Sequence, residues 1–378
     1  MFEFATAARI VFGRGAASGL VKIAREFGSR ALVVTGRDRS RAEGAVQSLD
    51  CHWFAVTGEP TVQLIREGVA QARQSQAELV ISIGGGSAID AGKAIAILAA
   101  NSGEPLDYLE VVGRGRSFDR PGLPYIAVPT TAGTGSEVTR NAVIGSPEHG
   151  VKASLRSPWM LARAAVVDPE LTLTLPRAVT ASTGLDALTQ LIEPYVSARA
   201  NAMVDMFCLD GIRRVAAALP RVLADGSDIA ARESMSFASL LGGLSLANAG
   251  LGVVHGFAAP IGGMIDAAHG AVCAAVLPHG MEANIRALRE RAPESAALQR
   301  YAGVARILTG DPSVSAEAAV PCIRELCREA GVLSLSALGV RRQDVPGLVE
   351  KAARASSMKA NPIVLTGAEL TAVLESSL

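Results

Sequence analysis

The chain has 378 residues, of which 49% are apolar and 19% are charged, and its 36 Lys and Arg residues balance its 36 Asp and Glu residues. This composition excludes a mainly disordered chain, and the zero net charge provides no basic surface for nucleic acid or an anionic membrane. Five scattered cysteines without a CxxC pair indicate neither a disulfide framework nor a cysteine zinc site, so we expect a cytoplasmic protein. The length predicts two or three domains.

The first half of the chain alternates short apolar runs with helical patterns. We predict strands over 31–35, 79–83 and 125–128, and helices over 61–74 and 87–99. Continuous apolar strands separated by amphipathic helices are typical of a parallel sheet that is covered on both faces. The sequence therefore predicts an α/β dinucleotide-binding domain over residues 1–177.

The second half contains long Ala- and Leu-rich segments at helical spacing, which continue to a final helix over 367–376. We predict an all-α domain over residues 178–378. Within it, the stretch 235–265 contains no Asp, Glu, Lys or Arg and is longer than the roughly 20 residues that cross a bilayer. Its seven glycines and its serines favour closely packed helices in a soluble domain, so we expect no membrane span.

A glycine turn stands where a buried strand becomes a helix, with the sequence Gly84-Gly85-Gly86-Ser87. Glycine lets the backbone approach a ligand closely, and the free N–H groups at a helix start attract phosphate. We interpret this turn as a pyrophosphate site. The alternative is a tight strand-to-helix turn that binds no ligand.

A threonine-rich loop over 129–137 follows the strand predicted at 125–128 and contains Thr130, Thr131 and Thr134. Its hydroxyls and backbone amides follow the carboxyl end of a parallel strand, where open α/β sheets bind ligands. We expect this loop and the glycine turn to face one crevice. A polar loop that only caps a helix is the alternative.

The residues after the first long strand bear on the choice of cofactor, and they run Gly36-Arg37-Asp38-Arg39-Ser40-Arg41. Dinucleotide domains often place an acid here to bind the adenosine ribose, whereas guanidinium groups match a 2′-phosphate. The three arginines favour NADP over NAD. Asp38 keeps NAD open, and an exposed basic loop is the alternative.

Polar residues in the helical half form a candidate metal site. Asp186, Gln190 and Glu193 share one face of an apolar helix. His255 lies within the uncharged stretch, and His269 follows it. A carboxylate, an amide oxygen and two imidazoles are a mixed donor set for a divalent metal. The alternative is that these are hydrogen-bonded core residues.

Four motifs, in this order along the chain, resemble those of the iron-containing (group III) alcohol dehydrogenases. They are Gly84-Gly85-Gly86-Ser87 with Asp90 and Lys93, the loop over 129–137, Gly184-x-Asp186-Ala187, and Gly252-x-x-His255. The resemblance covers nearly the whole chain. It implies the dehydroquinate synthase-like fold, in which an α/β dinucleotide-binding domain precedes an all-α domain.

The resemblance also implies the site residues. Those expected to bind the cofactor are Gly36, Arg37, Ser40, Gly84, Gly85, Gly86, Ser87, Asp90, Thr130, Thr131, Thr134 and Lys152. The glycine turn would hold the pyrophosphate, the threonine loop would contact adenine, ribose and nicotinamide, and Asp90 and Lys152 would line the nicotinamide side. The segment that begins at Gly36 resembles that of NADP-using members. The implied ligands of Fe²⁺ or Zn²⁺ are Asp186, Gln190, His255 and His269.

Two positions depart from the family pattern. Gln190 stands where the family usually has a histidine ligand, and a neutral amide oxygen binds metal more weakly than imidazole. Ala259 stands where many members have a histidine near the nicotinamide that is proposed to relay protons. We therefore assign no catalytic residue from the sequence, and a proton would move through water, a ribose hydroxyl or another side chain.

The leading hypothesis is an NAD(P)-dependent, metal-assisted enzyme that interconverts a small alcohol with an aldehyde or ketone at a site between the two domains. The alternatives are a maleylacetate reductase-type enzyme, whose relatives often lack the metal, and a cofactor-binding protein that has lost catalysis. We expect a homodimer or higher homo-oligomer, which is common among soluble enzymes.

Overall fold

The computed structural model describes residues 1–378, and its first half contains a six-stranded parallel sheet. The strands of this half are β1 (Ile10–Phe12), β2 (Arg30–Thr35), β3 (Asp50–Ala55), β4 (Leu79–Gly84), β5 (Tyr125–Pro129), β6 (Asn141–Ser146), β7 (Val151–Arg156) and β8 (Ala164–Val167). The order of the strands in the parallel sheet is β1-β8-β5-β4-β2-β3, and β6 and β7 form a separate antiparallel pair. The helices of this half are α1 (Leu20–Ala24), α2 (Ser40–Val46), α3 (Val62–Gln74), α4 (Gly86–Ala100) and α5 (Pro105–Tyr108).

The predicted strands form the centre of this sheet. Every residue of β4 and of β5 is buried, because both strands are continuous apolar runs between two neighbours. The sequence patterns did not predict β1, β3, β6, β7 or β8. Of these, β1 has three residues and β3 is a mostly solvent-accessible edge strand, so neither carries a continuous apolar run.

The order of the strands places three loops side by side. The chain adds β3 on one side of β2 and then crosses back to β4 on the other side, so the direction of winding reverses between β2 and β4. Open α/β sheets bind ligands at such a reversal, beyond the carboxyl ends of the strands. The segments that follow β2, β4 and β5 are the three candidate cofactor segments.

The second half consists of helices and short turns. Its helices are α6 (Arg177–Val196), α7 (Ala202–Ala224), α8 (Ile229–Ala249), α9 (Val253–Met264), α10 (His269–Arg291), α11 (Ala296–Thr309), α12 (Ala319–Ala330), α13 (Val345–Ala353) and α14 (Gly367–Ser377). An α/β unit with a parallel sheet followed by a helical unit is the predicted fold class, which the structure confirms.

Glycines let the central helices of this half approach α6 closely. A Cβ on Gly211 of α7 would lie 2.4 Å from Leu191, and a Cβ on Gly270 of α10 would lie 2.4 Å from the Ser182 carbonyl oxygen. Neither position therefore accepts a side chain without movement of the surrounding atoms. The close approach at Gly270 brings the neighbouring His269 beside Asp186, which lies one turn after Ser182 on α6.

Contacts divide the chain into two compact units. One comprises residues 5–131 and 135–174, and the other comprises residues 1–4, 132–134 and 175–378. The predicted division fell at 177/178. Thr134, one of the predicted cofactor residues, belongs to the helical unit by this measure, whereas Thr130 and Thr131 belong to the α/β unit.

The uncharged stretch singled out in the sequence forms most of α8 and α9. No single helix of the chain has both the length and the hydropathy of a membrane span. The pair α8 and α9 meets both criteria only when taken together, and these two helices meet at a bend of 97°.

Candidate functional site

Four side chains from three helices of the helical unit converge on one point. They are Asp186 of α6, His255 of α9, and His269 and Cys273 of α10, and one ligand atom from each lies within 4.8 Å of all the others. Three of these residues were predicted from the sequence. Cys273 was missed, although its signal is simple, because a cysteine four residues after a histidine shares the same helix face.

The distances within this cluster are short. Asp186 Oδ1 lies 3.5 Å from His255 Nε2 and 3.8 Å from His269 Nε2, and Cys273 Sγ lies 3.5 Å from His269 Nε2. The ligands of a tetrahedral zinc ion, at about 2.0–2.3 Å from the metal, are separated from one another by about 3.5 Å. The cluster therefore has the spacing of a first coordination shell.

Buried polar atoms of this cluster lack partners within the protein. Asp186 and His255 are 1% and 6% exposed, yet neither Asp186 Oδ1 nor His255 Nε2 has a hydrogen-bond partner. Buried polar atoms in folded proteins are almost always hydrogen-bonded, because an unpaired one costs about 1–3 kcal/mol. Two unpaired lone-pair donors at one point are what a cation site requires, and the residues therefore fit a divalent metal.

Gln190, the fourth predicted ligand, contacts Asp186 through its amide nitrogen. Its amide nitrogen Nε2 donates to Asp186 Oδ2 over 2.9 Å, one helical turn along α6. Its oxygen Oε1 is buried without a hydrogen-bond partner and lies 3.7 Å from the position of a Cβ on Gly242 of α8. Gln190 thus fixes one oxygen of Asp186 and leaves the other to face the histidines.

Glu193, which the sequence placed on the same helix face, orients His255. Its Oε2 lies 2.6 Å from His255 Nδ1, and its Oε1 accepts from the Val254 backbone N–H over 2.7 Å. A carboxylate that accepts from Nδ1–H keeps the proton on that nitrogen and leaves the Nε2 lone pair for a metal. This carboxylate–histidine pairing was not assigned from the sequence.

The cluster shifts the pKa values of its own members. Burial lowers the pKa of His255, but Cys273, Asp186 and Glu193 outweigh burial and raise it well above its ordinary value. Burial also lowers the pKa of His269, but Cys273 and Asp186 outweigh burial and raise this pKa to about 9. Burial raises the pKa of Asp186, and the two imidazoles outweigh that effect and lower it. A negatively biased cluster of this kind attracts cations, and a metal would displace the imidazole protons.

In the α/β unit, the glycine turn and the threonine loop lie against each other. Gly85 is the cap of α4, and the Thr130 backbone N–H donates to the Gly84 carbonyl over 2.9 Å. A Cβ on Gly84 would lie 2.7 Å from the Ala88 Cβ, and one on Gly85 would lie 3.3 Å from Thr131 Cγ2. The turn thus presents bare backbone at a helix start, which suits a phosphate.

Asp90, predicted to line the nicotinamide side, is held by neighbours within the α/β unit. Its Oδ1 accepts from the Ser136 hydroxyl and lies 3.1 Å from Lys93 Nζ, and its Oδ2 accepts from the Val143 backbone N–H over 2.9 Å. These bonds tie α4 to β6. A role for Asp90 toward the nicotinamide stays a prediction.

The remaining predicted cofactor residues lie at three places. Ser40 begins α2 and Arg37 is exposed in the segment between β2 and α2, which starts at Gly36. Lys152 lies on β7, where its Nζ is 3.5 Å from Glu59 Oε2. Ser87 lies in the first turn of α4, and Ala259 lies within α9, one turn after His255.

Comparisons with known proteins agree with this architecture. The family model of iron-containing alcohol dehydrogenases matches residues 7–169, and the model of the C-terminal part of Fe-containing alcohol dehydrogenases matches residues 180–378. The 1,3-propanediol dehydrogenase of Klebsiella pneumoniae is 35% identical over 349 residues, which are 89% of this chain and 88% of that protein. The NAD-dependent methanol dehydrogenase of Bacillus methanolicus is 32% identical over 384 residues, which are 97% of each chain.

A solved structure shows the same fold. The crystal structure of a 1,3-propanediol oxidoreductase superimposes with a TM-score of 0.92 at 32% sequence identity and covers the whole of both chains. The resemblance inferred from the sequence motifs is thereby confirmed: the chain belongs to the iron-containing alcohol dehydrogenase family.

Proposed function

We propose that the protein is an NAD(P)-dependent, metal-assisted oxidoreductase that interconverts a small alcohol with its aldehyde or ketone. The observation that carries this proposal is the convergence of Asp186, His255 and His269 with two buried lone-pair atoms that no protein group satisfies. A cluster that served only packing would not leave these atoms unpaired. Membership of a family of CH–OH oxidoreductases supports the reaction class.

Residues of the helical unit would bind the metal and position its ligands. NAD(P) supplies or accepts the hydride, and a divalent metal when bound acts as a Lewis acid toward the substrate oxygen. Asp186, His255 and His269 would hold the metal, Gln190 fixes the Asp186 carboxylate, and Glu193 holds the His255 tautomer.

The α/β unit would bind the cofactor. The backbone of Gly84, Gly85 and Gly86 would accept the pyrophosphate at the start of α4, with Ser87 in the same turn. Thr130 and Thr131 border that turn. The methanol dehydrogenase relative is named as NAD-dependent, which supports a nicotinamide cofactor here.

NADP is the favoured cofactor, and the contacts after β2 support this preference. Asp38 Oδ1 accepts from the Ser40 backbone N–H over 2.9 Å, so one of its carboxylate oxygens is already engaged within the segment. Arg39 pairs with Glu43 at 2.8 Å, and Arg41 reaches the Thr174 carbonyl. Arg37 is exposed, and its guanidinium is the group we assign to the 2′-phosphate.

Proton exchange in this chain differs from that of relatives with a histidine at position 259. Ala259 has no ionisable group, so we infer that the alcohol proton reaches solvent through water or through a ribose hydroxyl of the cofactor. The predicted cytoplasmic location and homo-oligomeric state are part of the same proposal.

Turnover with a panel of small aldehydes and ketones tests the proposal. Oxidation of NADPH and of NADH would be followed with protein that has been stripped of metal and reloaded with Fe²⁺ or Zn²⁺, beside the unloaded protein. We expect carbonyl-dependent oxidation that requires the metal. Cofactor binding without turnover under every condition would instead indicate a cofactor-binding protein that has lost catalysis.

A further inference from the structure

The family position of the third histidine is occupied here by Gln190, whose amide nitrogen faces Asp186. The amide nitrogen that contacts Asp186 Oδ2 carries hydrogens and has no lone pair to offer a metal. The opposite orientation of the amide would set its oxygen against a carboxylate oxygen. With the nitrogen on Asp186, the Oε1 atom lies beside Gly242 of α8, where it is buried without a hydrogen-bond partner.

Cys273 stands at the point of convergence. It lies one turn after His269 on α10, is fully buried, and its Sγ is 3.5 Å from His269 Nε2. Its Sγ also lies within 4.8 Å of a carboxylate oxygen of Asp186 and of a ring nitrogen of His255. Each of these two residues has a buried atom without a hydrogen-bond partner, Asp186 Oδ1 and His255 Nε2. Cys273 is thus one of four potential metal ligands that converge, and Asp186 and His255 each contribute a buried atom without a hydrogen-bond partner.

We propose that the Cys273 thiolate is the fourth metal ligand of this chain and that Gln190 is a positioning residue for Asp186. The inference rests on the proposed metal site and specifies its chemistry. Metal binding converts the thiol into a thiolate and releases its proton to solvent, as for other cysteine ligands. The donor set becomes one carboxylate, two imidazoles and one thiolate.

This set differs in charge and softness from a carboxylate with three imidazoles. Asp186 and Cys273 together contribute two negative charges, which neutralise a divalent ion, whereas a set with a third histidine would leave one positive charge. Thiolate is a soft ligand that favours zinc over iron(II). We therefore expect this chain to retain Zn²⁺ in preference to Fe²⁺, despite the family to which it belongs.

Cobalt(II) provides a direct test, because cobalt bound to thiolate has an intense near-ultraviolet charge-transfer absorption that cobalt bound to imidazole and carboxylate lacks. The full-length protein would be stripped of metal and titrated with Co²⁺ alone. We expect the charge-transfer band to saturate with metal uptake. It should be absent in Cys273→Ser and in Cys273→Ala, and present in the matched control Cys322→Ser, whose partly buried cysteine lies on α12.

The Gln190→Ala variant tests the positioning role. A positioning residue should leave both the charge-transfer band and the visible d–d bands of bound Co²⁺ unchanged while metal binding weakens by roughly 10–100-fold, as on loss of outer-shell partners. A change in the d–d bands would instead mark Gln190 as a metal ligand. In a Cys273→Ser background, Gln190→His should recover metal affinity by restoring an imidazole ligand, but without the band. Far-ultraviolet circular dichroism confirms that each variant is folded before it is titrated.

The outcomes keep the inference apart from the proposed function. Cobalt uptake without the charge-transfer band, or a band that persists in folded Cys273→Ser, would overturn the thiolate ligand and leave the metal site standing. Failure of the wild-type protein to bind Co²⁺ or Zn²⁺ at all would instead overturn the metal site and with it the metal-assisted reaction.

Discussion

The α/β unit and the helical unit each contain a buried cluster of charged side chains, but only the cluster of the α/β unit is paired internally. Lys93 is 1% exposed, and its Nζ donates to the Ser136 carbonyl and the Thr139 hydroxyl at 2.9 Å each and lies 3.1 Å from Asp90. In the helical unit, Asp186 Oδ1 and His255 Nε2 are buried and have no hydrogen-bond partner. The paired ammonium group of Lys93 suits a structural role, whereas the two unpaired atoms that converge in the helical unit suit a bound cation.

The two candidate sites differ in the same sense. The nucleotide segments offer backbone and glycine from consecutive residues, so one sequence motif contains most of the site. The metal cluster takes single side chains from three helices that are separated by up to 87 positions between Asp186 and Cys273. The following predictions test this contrast, beginning with the largest expected effect.

Removal of a cluster ligand should abolish metal-dependent turnover and leave cofactor binding intact. We expect Asp186→Asn to lose bound metal and to lower kcat/KM by about 10³-fold, since Lewis-acid assistance is worth several kcal/mol. Metal content, steady-state kinetics and NADPH titration measure the three properties. Asp210→Asn, at a half-exposed carboxylate on α7 paired with Arg214, is the matched control and should change none of them. Retention of metal and activity by Asp186→Asn would contradict the assignment.

Glu137 is a buried carboxyl of the α/β unit, and its ionisation should change the stability of the fold. Burial raises the pKa of Glu137 to about 7 from 4.5, against the lowering influence of its own backbone N–H and of Lys93. A carboxyl whose folded pKa is raised stabilises the protein fully below pH 4.5, and this contribution is lost as the pH rises through about 7. When the pH rises from about 5 to about 8, the free energy of unfolding of Glu137→Gln should therefore increase relative to that of the wild type by on the order of 2–3 kcal/mol.

Denaturant unfolding of both proteins at the two pH values measures this difference. The matched control is Glu67→Gln, which removes an exposed carboxyl of α3. A difference between wild type and Glu137→Gln that did not change with pH would mean that Glu137 is ionised throughout in the folded protein.

A side chain in the glycine turn should damage the phosphate site. In Gly84→Ala, the new Cβ would lie 2.7 Å from the Ala88 Cβ, and overpacking of this kind costs about 1–3 kcal/mol. We expect a lower melting temperature and weaker NADPH binding, with normal metal content. Gly44→Ala, where a Cβ meets nothing within 4 Å in α2, should be neutral or slightly stabilising. Unchanged cofactor affinity in folded Gly84→Ala would remove this turn from the pyrophosphate site.

The smallest effect concerns the choice between cofactors. Arg37→Ala should weaken NADPH binding by about tenfold, because a hydrogen bond to a charged group contributes about 1.5 kcal/mol, and should leave NADH binding unchanged. The ratio of the two dissociation constants is the measurement. Arg66→Ala, at an arginine paired with Glu104, is the control. An unchanged ratio in Arg37→Ala would assign cofactor choice to another residue.

Residues adjacent in sequence were predictable, and residues that meet through tertiary packing were less so. The central strands and the glycine turn follow from local runs such as 79–87, because burial and turn chemistry are encoded in consecutive residues. Asp186, His255 and His269 were proposed as ligands from the family resemblance and do converge. The four-residue spacing of His269 and Cys273 is visible in the sequence, but the approach of Cys273 to Asp186 depends on how α10 packs against α6, which no local pattern specifies.

The edge elements show the same limit for the fold. The three-residue β1 is a strand only because it pairs with β8, and β8 itself contains four residues, Ala164–Val167. Such short segments carry too few residues for a periodicity to be recognised. Their pairing is decided by the rest of the sheet.

Elemental analysis of the protein, purified without chelator, decides whether Asp186, His255 and His269 hold a metal. We expect close to one divalent metal ion per chain in the wild type, with zinc as the main element, and none in Asp186→Asn. Absence of any divalent metal near stoichiometry, even after anaerobic reconstitution with Fe²⁺ and with Zn²⁺, would show that these residues form no metal site.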